Sequence, residues 1–204
     1  MPKLGMETIR RRQIIDAVVA IIESRGWNDL TFQQVSRVSG ISTGVVVHYF
    51  GNKREVVLDA VAEAGNRLDR TLKDVRKANA RAEIQLSRLN DLLSTPAQHD
   101  LPGPRFWITV LANSAFDDAE LRAEMARMLD RLAETAAETF RLGVSQGVFR
   151  LARPPEQIAE DYITVVLGLW SAEVARGKSA GRSLALARFG ATELGTPNLQ
   201  ELSA

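Results

Sequence analysis

A chain of 204 residues with 45% hydrophobic and only 6% aromatic side chains can bury one or two modest cores. With no cysteine it has neither a disulfide framework nor a thiolate metal site, and no apolar run reaches a signal peptide's core or the ~20 residues of a membrane span, so a soluble cytoplasmic protein is expected. The net charge of +1 hides an asymmetry: residues 1–54 carry Lys3, Arg10, Arg11, Arg12, Arg25, Arg37, Lys53 and Arg54 against Glu7, Asp16, Glu23 and Asp29, so a basic head, suited to a polyanion, precedes an acidic body.

Every long periodic segment reads as helix, and none reads convincingly as strand. In the first, Ile14, Ile15, Val18, Ile21 and Ile22 fall on one face, and Gly26 suits its C-terminus. Thr31, with Gln34 as the other half of a capping box, opens a second helix that Ser39-Gly40 breaks. Ser42 is placed to cap a third, running to about Tyr49. Asn52 with Glu55 starts a long fourth, whose stripe is Val57, Val61, Ala64, Leu68, Leu72 and Val75. A fifth covers Ala82 to Leu93. Residues 95–104 (TPAQHDLPGP) read as a loop. Helix resumes from Arg105 to Ser114, and again from Asp118 to about Ser145 through Leu121, Met125, Met128, Leu132, Ala136 and Phe140. Gly147 closes it. Pro154-Pro155 sets the start of the next helix, to about Ala175. After a break at Gly177 to Gly181, a last helix ends near Leu194.

Residues 32–38, Ser39-Gly40-Ile41 and 43–49 have the form helix, turn, helix. A tight glycine turn lets the second helix project and enter a major groove. Val35, Val38, Ile41, Val46 and Phe50 are expected to lock this pair against the first helix. Thr43, Gly44, Val45, Val47, His48 and Tyr49 then face outward. Gly44 permits close approach of backbone, valine methyls suit a thymine methyl, and Thr43 offers a hydrogen bond to a base edge or phosphate. An ordinary helical hairpin has the same spacing. Two features favour DNA. Arg10, Arg11 and Arg12 crowd an early helical turn, where the macrodipole disfavours cations, although a solvated charge run also accounts for them. Lys53 stands at a helix N-terminus suited to an anion. Gln33 and Ser42, at the starts of the two short helices, complete the candidate DNA-contacting set.

The run TFQQVSRVSGISTGVVVHYFGNK, Thr31 to Lys53, resembles the signature of TetR-family transcriptional regulators, most specifically at Thr31, Gly40, Ser42 to Gly44 and the Tyr49-Phe50-x-Asn52-Lys53 end. The opening, MPKLGMETIRRRQIIDA, further resembles the choline-sensing repressors of glycine-betaine synthesis. The resemblance implies an all-α protein of about nine helices. A three-helix DNA-binding domain at 1–53 would precede a helical effector-binding and dimerisation domain at 54–195 and a flexible tail at 196–204. It implies phosphate contacts from Thr31, Tyr49 and Lys53, and groove-facing roles for Thr43, Gly44, Val45, Val47 and His48. Val45 stands where Thr is usual in the family, and Val47 where Tyr is frequent. Both changes remove hydrogen-bonding groups, so the operator sequence does not carry over from relatives.

The family works as dimers on double-stranded, palindromic operator DNA, two recognition helices about 34–36 Å apart meeting successive major grooves. Ile158, Tyr162, Val165, Val166, Leu169 and Trp170, with Leu184, Leu186 and Phe189 across the glycine break, are the candidate homodimer surface; interior core is the competing reading. Phe106, Trp107 and Phe116, then Phe140, Tyr162 and Trp170, are candidate walls of an effector pocket. For a small-molecule effector such as a quaternary ammonium compound, aromatic faces offer cation–π attraction, with Asp117 nearby. Against this, aromatics at helical spacing are more often simple core.

No enzyme is expected. The two histidines are His48, on the proposed reading helix, and His99, in the proline loop, and no Glu-x-x-His pair exists to build a di-iron bundle. No cofactor or metal site is indicated. The expected function is a ligand-responsive regulator, a repressor in the family's usual mode. The alternative is a helical DNA-binding or adaptor protein without an effector.

Overall fold

The computed structural model describes residues 6–77, 81–114, 118–177 and 181–195. Among these, the elements are helices: α1 (Met6–Arg25), α2 (Phe32–Ser39), α3 (Thr43–Tyr49), α4 (Lys53–Lys77), α5 (Ala82–Ser94), α6 (Pro104–Ser114), α7 (Ala119–Ser145), α8 (Pro155–Arg176) and α9 (Arg182–Glu193), with one 3-10 turn at Pro96–His99. No helix among the described residues is long and apolar enough to cross a membrane.

Two compact units form. One comprises the described residues between 6 and 66 and between 102 and 125, the other those between 67 and 101 and between 126 and 195. The first therefore takes in α6 and the start of α7 besides the N-terminal helices. The N-terminal side of α4 serves the first unit and its C-terminal side the second.

In the first unit, Ile14, Ile15, Ala17, Val18, Ile21 and Ile22 form the buried face of α1. Val35 from α2, Val46 from α3, Phe50, Leu30, and Val56, Val57 and Ala60 from α4 complete this core. Gly26 ends α1 with φ at +89°, where its N–H donates to the Ile22 carbonyl at 3.0 Å. The Thr31 hydroxyl caps α2 by accepting from the Gln34 N–H at 3.2 Å. The expected reciprocal half of that box is missing: Gln34 Oε1 is buried without a hydrogen-bond partner among the described residues.

Gly40 takes φ +71° and its N–H donates to the Ser36 carbonyl, while Ser39 Oγ accepts from the Ile41 N–H at 3.2 Å. This conformation is open to glycine at little cost. Ser42 holds the capping position of α3, but its side chain makes no capping bond. Val38 is a correction. It is 46% exposed while Val35 is 0% exposed, and Ile41 is only half-buried. Three residues along a helix turn a side chain roughly 60° from its neighbour on the same face. On so short a helix that rotation carries Val38 off the core.

The start of α4 matches expectation in full. Asn52 Oδ1 accepts from the Glu55 N–H at 3.0 Å, and Glu55 accepts from the Asn52 amide at 2.8 Å and the Gly51 N–H at 3.0 Å. α7 is capped by Asp118, whose Oδ1 accepts from the N–H groups of Glu120 and Leu121 at 3.1 and 3.2 Å.

In the second unit, Leu68, Leu72 and Val75 of α4 join a core with Leu86, Leu89, Leu92 and Leu93 of α5, Met128, Leu132, Ala136 and Phe140 of α7, and Ile158, Tyr162, Ile163, Val166 and Trp170 of α8. Several of its polar side chains are paired within the unit, although the buried Ser94 Oγ has no hydrogen-bond partner among the described residues. Gln146 caps α5 through the Ala82 N–H at 2.9 Å, and Asp69 grips Arg131 through both carboxylate oxygens. Thr139 donates to the Thr135 carbonyl at 2.9 Å, and Gln85 donates to the Arg76 carbonyl at 3.2 Å. The expected loop at 95–104 is more ordered than its prolines imply. It holds the 3-10 turn, then Asp100 at φ +55°.

Candidate nucleic-acid interface

Along α3 the buried residue is Val46, which faces the core of the first unit. Thr43, Gly44 and His48 are exposed, Val47 is 46% exposed, and Val45 and Tyr49 are half-buried. One face of the helix thus docks it and the rest is free. Gly44 is informative. A Cβ there would meet nothing within 4 Å, and its φ is not in the left-handed region. Glycine inside a helix is less stable than alanine by roughly 0.5–1 kcal/mol, and nothing in the fold requires it here. The bare backbone is available to whatever approaches from outside. Tyr49 is steadied edge-on against His48, ring centroids 5.7 Å apart. Gln33 and Ser42 are exposed as well, as is Thr31 at the start of α2.

The basic residues divide by how they are held. Arg10 is exposed. Arg12 lies 3.9 Å from Asp16, one helical turn on. Arg11 is paired with Asp59 of α4 and stands 4.9 Å over the Phe50 ring, so it braces α1 against the end of α3. Arg54, counted above among the head's charges, is gripped by Asp118 through two hydrogen bonds at 2.6 and 2.9 Å and by Glu120 at 2.9 Å. Those carboxylates raise the Arg54 pKa, and the Arg54 guanidinium in turn holds the Asp118 carboxyl below its ordinary value.

Lys53 is held differently. Its ammonium donates to the Trp27 carbonyl at 2.6 Å and sits 4.5 Å from the Trp27 ring centroid. Burial lowers its pKa. Beside it an open hollow of about 190 Å³ is lined by Leu30, Thr31, Phe32, Lys53 and Val56. Trp27 was not singled out above; an aromatic directly after a helix-ending glycine was the available signal.

The candidate effector residues fall into two sets. Phe106 and Trp107 belong to the first unit, T-shaped with centroids 5.1 Å apart, and the Trp107 indole donates to the Pro102 carbonyl at 3.1 Å. Phe140, Tyr162 and Trp170 belong to the second. Phe140 and Tyr162 are perpendicular at 6.0 Å, the Tyr162 hydroxyl donates to Asn90 at 2.7 Å, and the Trp170 indole donates to the Leu93 carbonyl at 3.2 Å. All five are buried, and burial raises the Tyr162 pKa. Phe116 and Asp117 lie outside the described residues. An open cleft of about 480 Å³ in the second unit is lined instead by residues including Asp74, Arg88, Asp91 and His99, with His99 Nε2 3.0 Å from Asp91.

The candidate dimer band also divides. Ile158, Tyr162, Val166, Trp170 and Leu186 are buried within the second unit itself. Val165, Leu169 and Phe189 are half-buried, the Phe189 ring lying 5.5 Å from that of Tyr162, and Leu184 is 43% exposed.

Residues 14–60 match the profile of the bacterial regulatory proteins of the tetR family. The HTH-type transcriptional regulator BetI of Escherichia coli (strain SE11) is 31% identical over 194 residues, covering 91% of this chain and 92% of that protein. BetI of Cronobacter sakazakii is 32% identical over 176 residues, covering 83% and 82%. Among solved structures, a transcriptional regulator from Saccharomonospora viridis in complex with choline superposes with a TM-score of 0.78 at 24% identity, covering 92% of this chain and 98% of that one. A TetR transcription regulator from Haloarcula marismortui gives 0.77 at 18% identity, covering 92% and 99%.

Proposed function

Because the chain belongs to the TetR family of bacterial regulatory proteins and is related to the BetI regulators, we propose that it is a cytoplasmic transcriptional repressor, bound as a homodimer to a palindromic operator and released by a small quaternary ammonium compound. The observation that carries the DNA-binding part is the free face of α3. Thr43, Gly44, Val47 and His48 stand outward on a helix docked through Val46, as a rod entering a major groove requires. Thr31, Tyr49 and Lys53 flank it as phosphate contacts. Residues 1–53 act as the reading head and 54–195 as the sensing and dimerising body.

Dimerisation falls to α8 and α9, through Val165, Leu169, Leu184 and Phe189. A two-fold axis repeats the small reading surface on a second groove, which supplies affinity that one short helix lacks. The choline bound by the Saccharomonospora viridis protein supports a quaternary ammonium effector. Phe140, Tyr162 and Trp170 supply the aromatic faces for it. All three rings are buried in the core of the second unit, so a ligand there stabilises an opened arrangement at the expense of the packed one. Through α4, which begins in the head and ends in the body, that shift reaches the reading helices.

The experiment is a gel-shift titration on the duplex upstream of the gene, with choline and betaine aldehyde added. Retarded complex that choline dissolves supports the whole reading. Retardation indifferent to both compounds leaves a DNA-binding protein with some other effector or none. Thermal unfolding unchanged at millimolar choline would also count against the quaternary ammonium part.

A further inference from the structure

The basic side chains that the first unit immobilises are held in two ways. Arg11 is paired with Asp59, and Arg54 with Asp118 and Glu120, so carboxylates cancel both guanidinium charges. Lys53 has neutral partners: the Trp27 carbonyl at 2.6 Å and the Trp27 ring at 4.5 Å. A carbonyl dipole and the negative face of an indole attract a cation and fix its place without neutralising it.

The position calls for such an anchor. Lys53 is the first residue of α4, at the positive end of the helix dipole, where a cation is repelled. Left alone, its four-carbon stem would swing into water, and ordering it on binding would cost side-chain entropy. An anchor made in the free protein removes that cost beforehand. Among the described residues no other ring engages the Trp27 indole, and its carbonyl also accepts from the Leu30 N–H at 3.2 Å. The same tryptophan thus closes the turn between α1 and α2 and carries the lysine. The hollow beside them has Thr31 and Lys53 in its wall.

We infer that Trp27 is a positioning residue for DNA binding, whose ring and carbonyl hold the Lys53 ammonium, still charged, beside a hollow where a backbone phosphate seats. This rests on the DNA-binding reading above.

The test is a double-mutant cycle on the full-length protein, read by fluorescence anisotropy across a salt series, on a random-sequence duplex and on the duplex upstream of the gene. Trp27→Leu weakens binding to both duplexes by about threefold to tenfold, and Trp27→Phe, which keeps an aromatic face, recovers most of the loss. In a Lys53→Ala background, Trp27→Leu has no further effect. Equal weakening in both backgrounds would make Trp27 a support of the fold only, and unchanged binding would make it dispensable; either overturns the inference. If Trp27→Leu does not fold, biosynthetic fluorination of the tryptophans drains the ring's negative face with little change of shape. Affinity then falls in the unaltered sequence and not in Lys53→Ala; any other pattern overturns the inference. Failure of the unaltered protein to bind either duplex removes the DNA-binding reading as well, and is told apart because the starting protein itself is silent.

Discussion

Along α3, Thr43, Gly44, Val47 and His48 stand in solvent on a helix docked by Val46. Along α8, Ile158, Tyr162, Val166 and Trp170 are buried, and both polar ring ends find partners within their own unit. The contrast teaches where each unit keeps its chemistry. In the first unit, the outward side of α3 carries groups that the fold leaves unused, and it is the surface proposed for an external partner. In the second, every described aromatic candidate already serves the core. A ligand site made of those rings would need rearrangement, whereas the cleft beside Asp91 and His99 is already open.

Substitutions can break or sharpen this contrast. Phe140→Ala removes a fully buried ring from the second unit and should cost about 3–5 kcal/mol in denaturant unfolding; a cost under 1 kcal/mol would show a loose, ligand-ready interior instead. Tyr162→Phe strands Asn90 without its hydroxyl donor and should cost about 1–3 kcal/mol in the same assay. Gly44→Ala should act with opposite signs. It should stabilise the protein by roughly 0.5–1 kcal/mol and weaken duplex binding in anisotropy titrations, because the added methyl has room inside the protein and none against DNA. Lys53→Ala should weaken binding to all sequences and lower the salt slope by about one counterion. Thr43→Ala should leave stability within about 0.5 kcal/mol while shifting preference among operator variants. Equal losses on specific and random DNA would remove its groove role.

What the sequence disclosed follows the same division. Helix ends at Gly26, Gly40, Asn52, Asp118 and Pro155 were legible because a cap or a break is decided by residues three or four positions apart. The reading helix was legible for the same reason. The states of Arg11 and Arg54 were not, since their carboxylate partners lie 48 and 64 positions away. Val38 was misplaced because an eight-residue helix gives the apolar pattern too few turns to fix its phase. The aromatic candidates were found as residues but not as a site. Helical spacing places Tyr162 and Trp170 on one face of α8, yet it cannot tell a filled core from a hollow one. Trp27 was missed because its role lies in a contact to Lys53, 26 positions on.

The central claim is that residues 43–49 form an outward rod that a duplex covers. The sequence contains no cysteine, so Val47→Cys creates a unique thiol on that rod, and Val144→Cys creates an equally exposed control on α7. The measurement is the alkylation rate of each thiol with and without saturating upstream duplex. The account predicts fast modification of both in free protein and strong protection by DNA at position 47 alone. A thiol at position 47 that reacts slowly in the free protein, or equally fast under bound duplex, would contradict it.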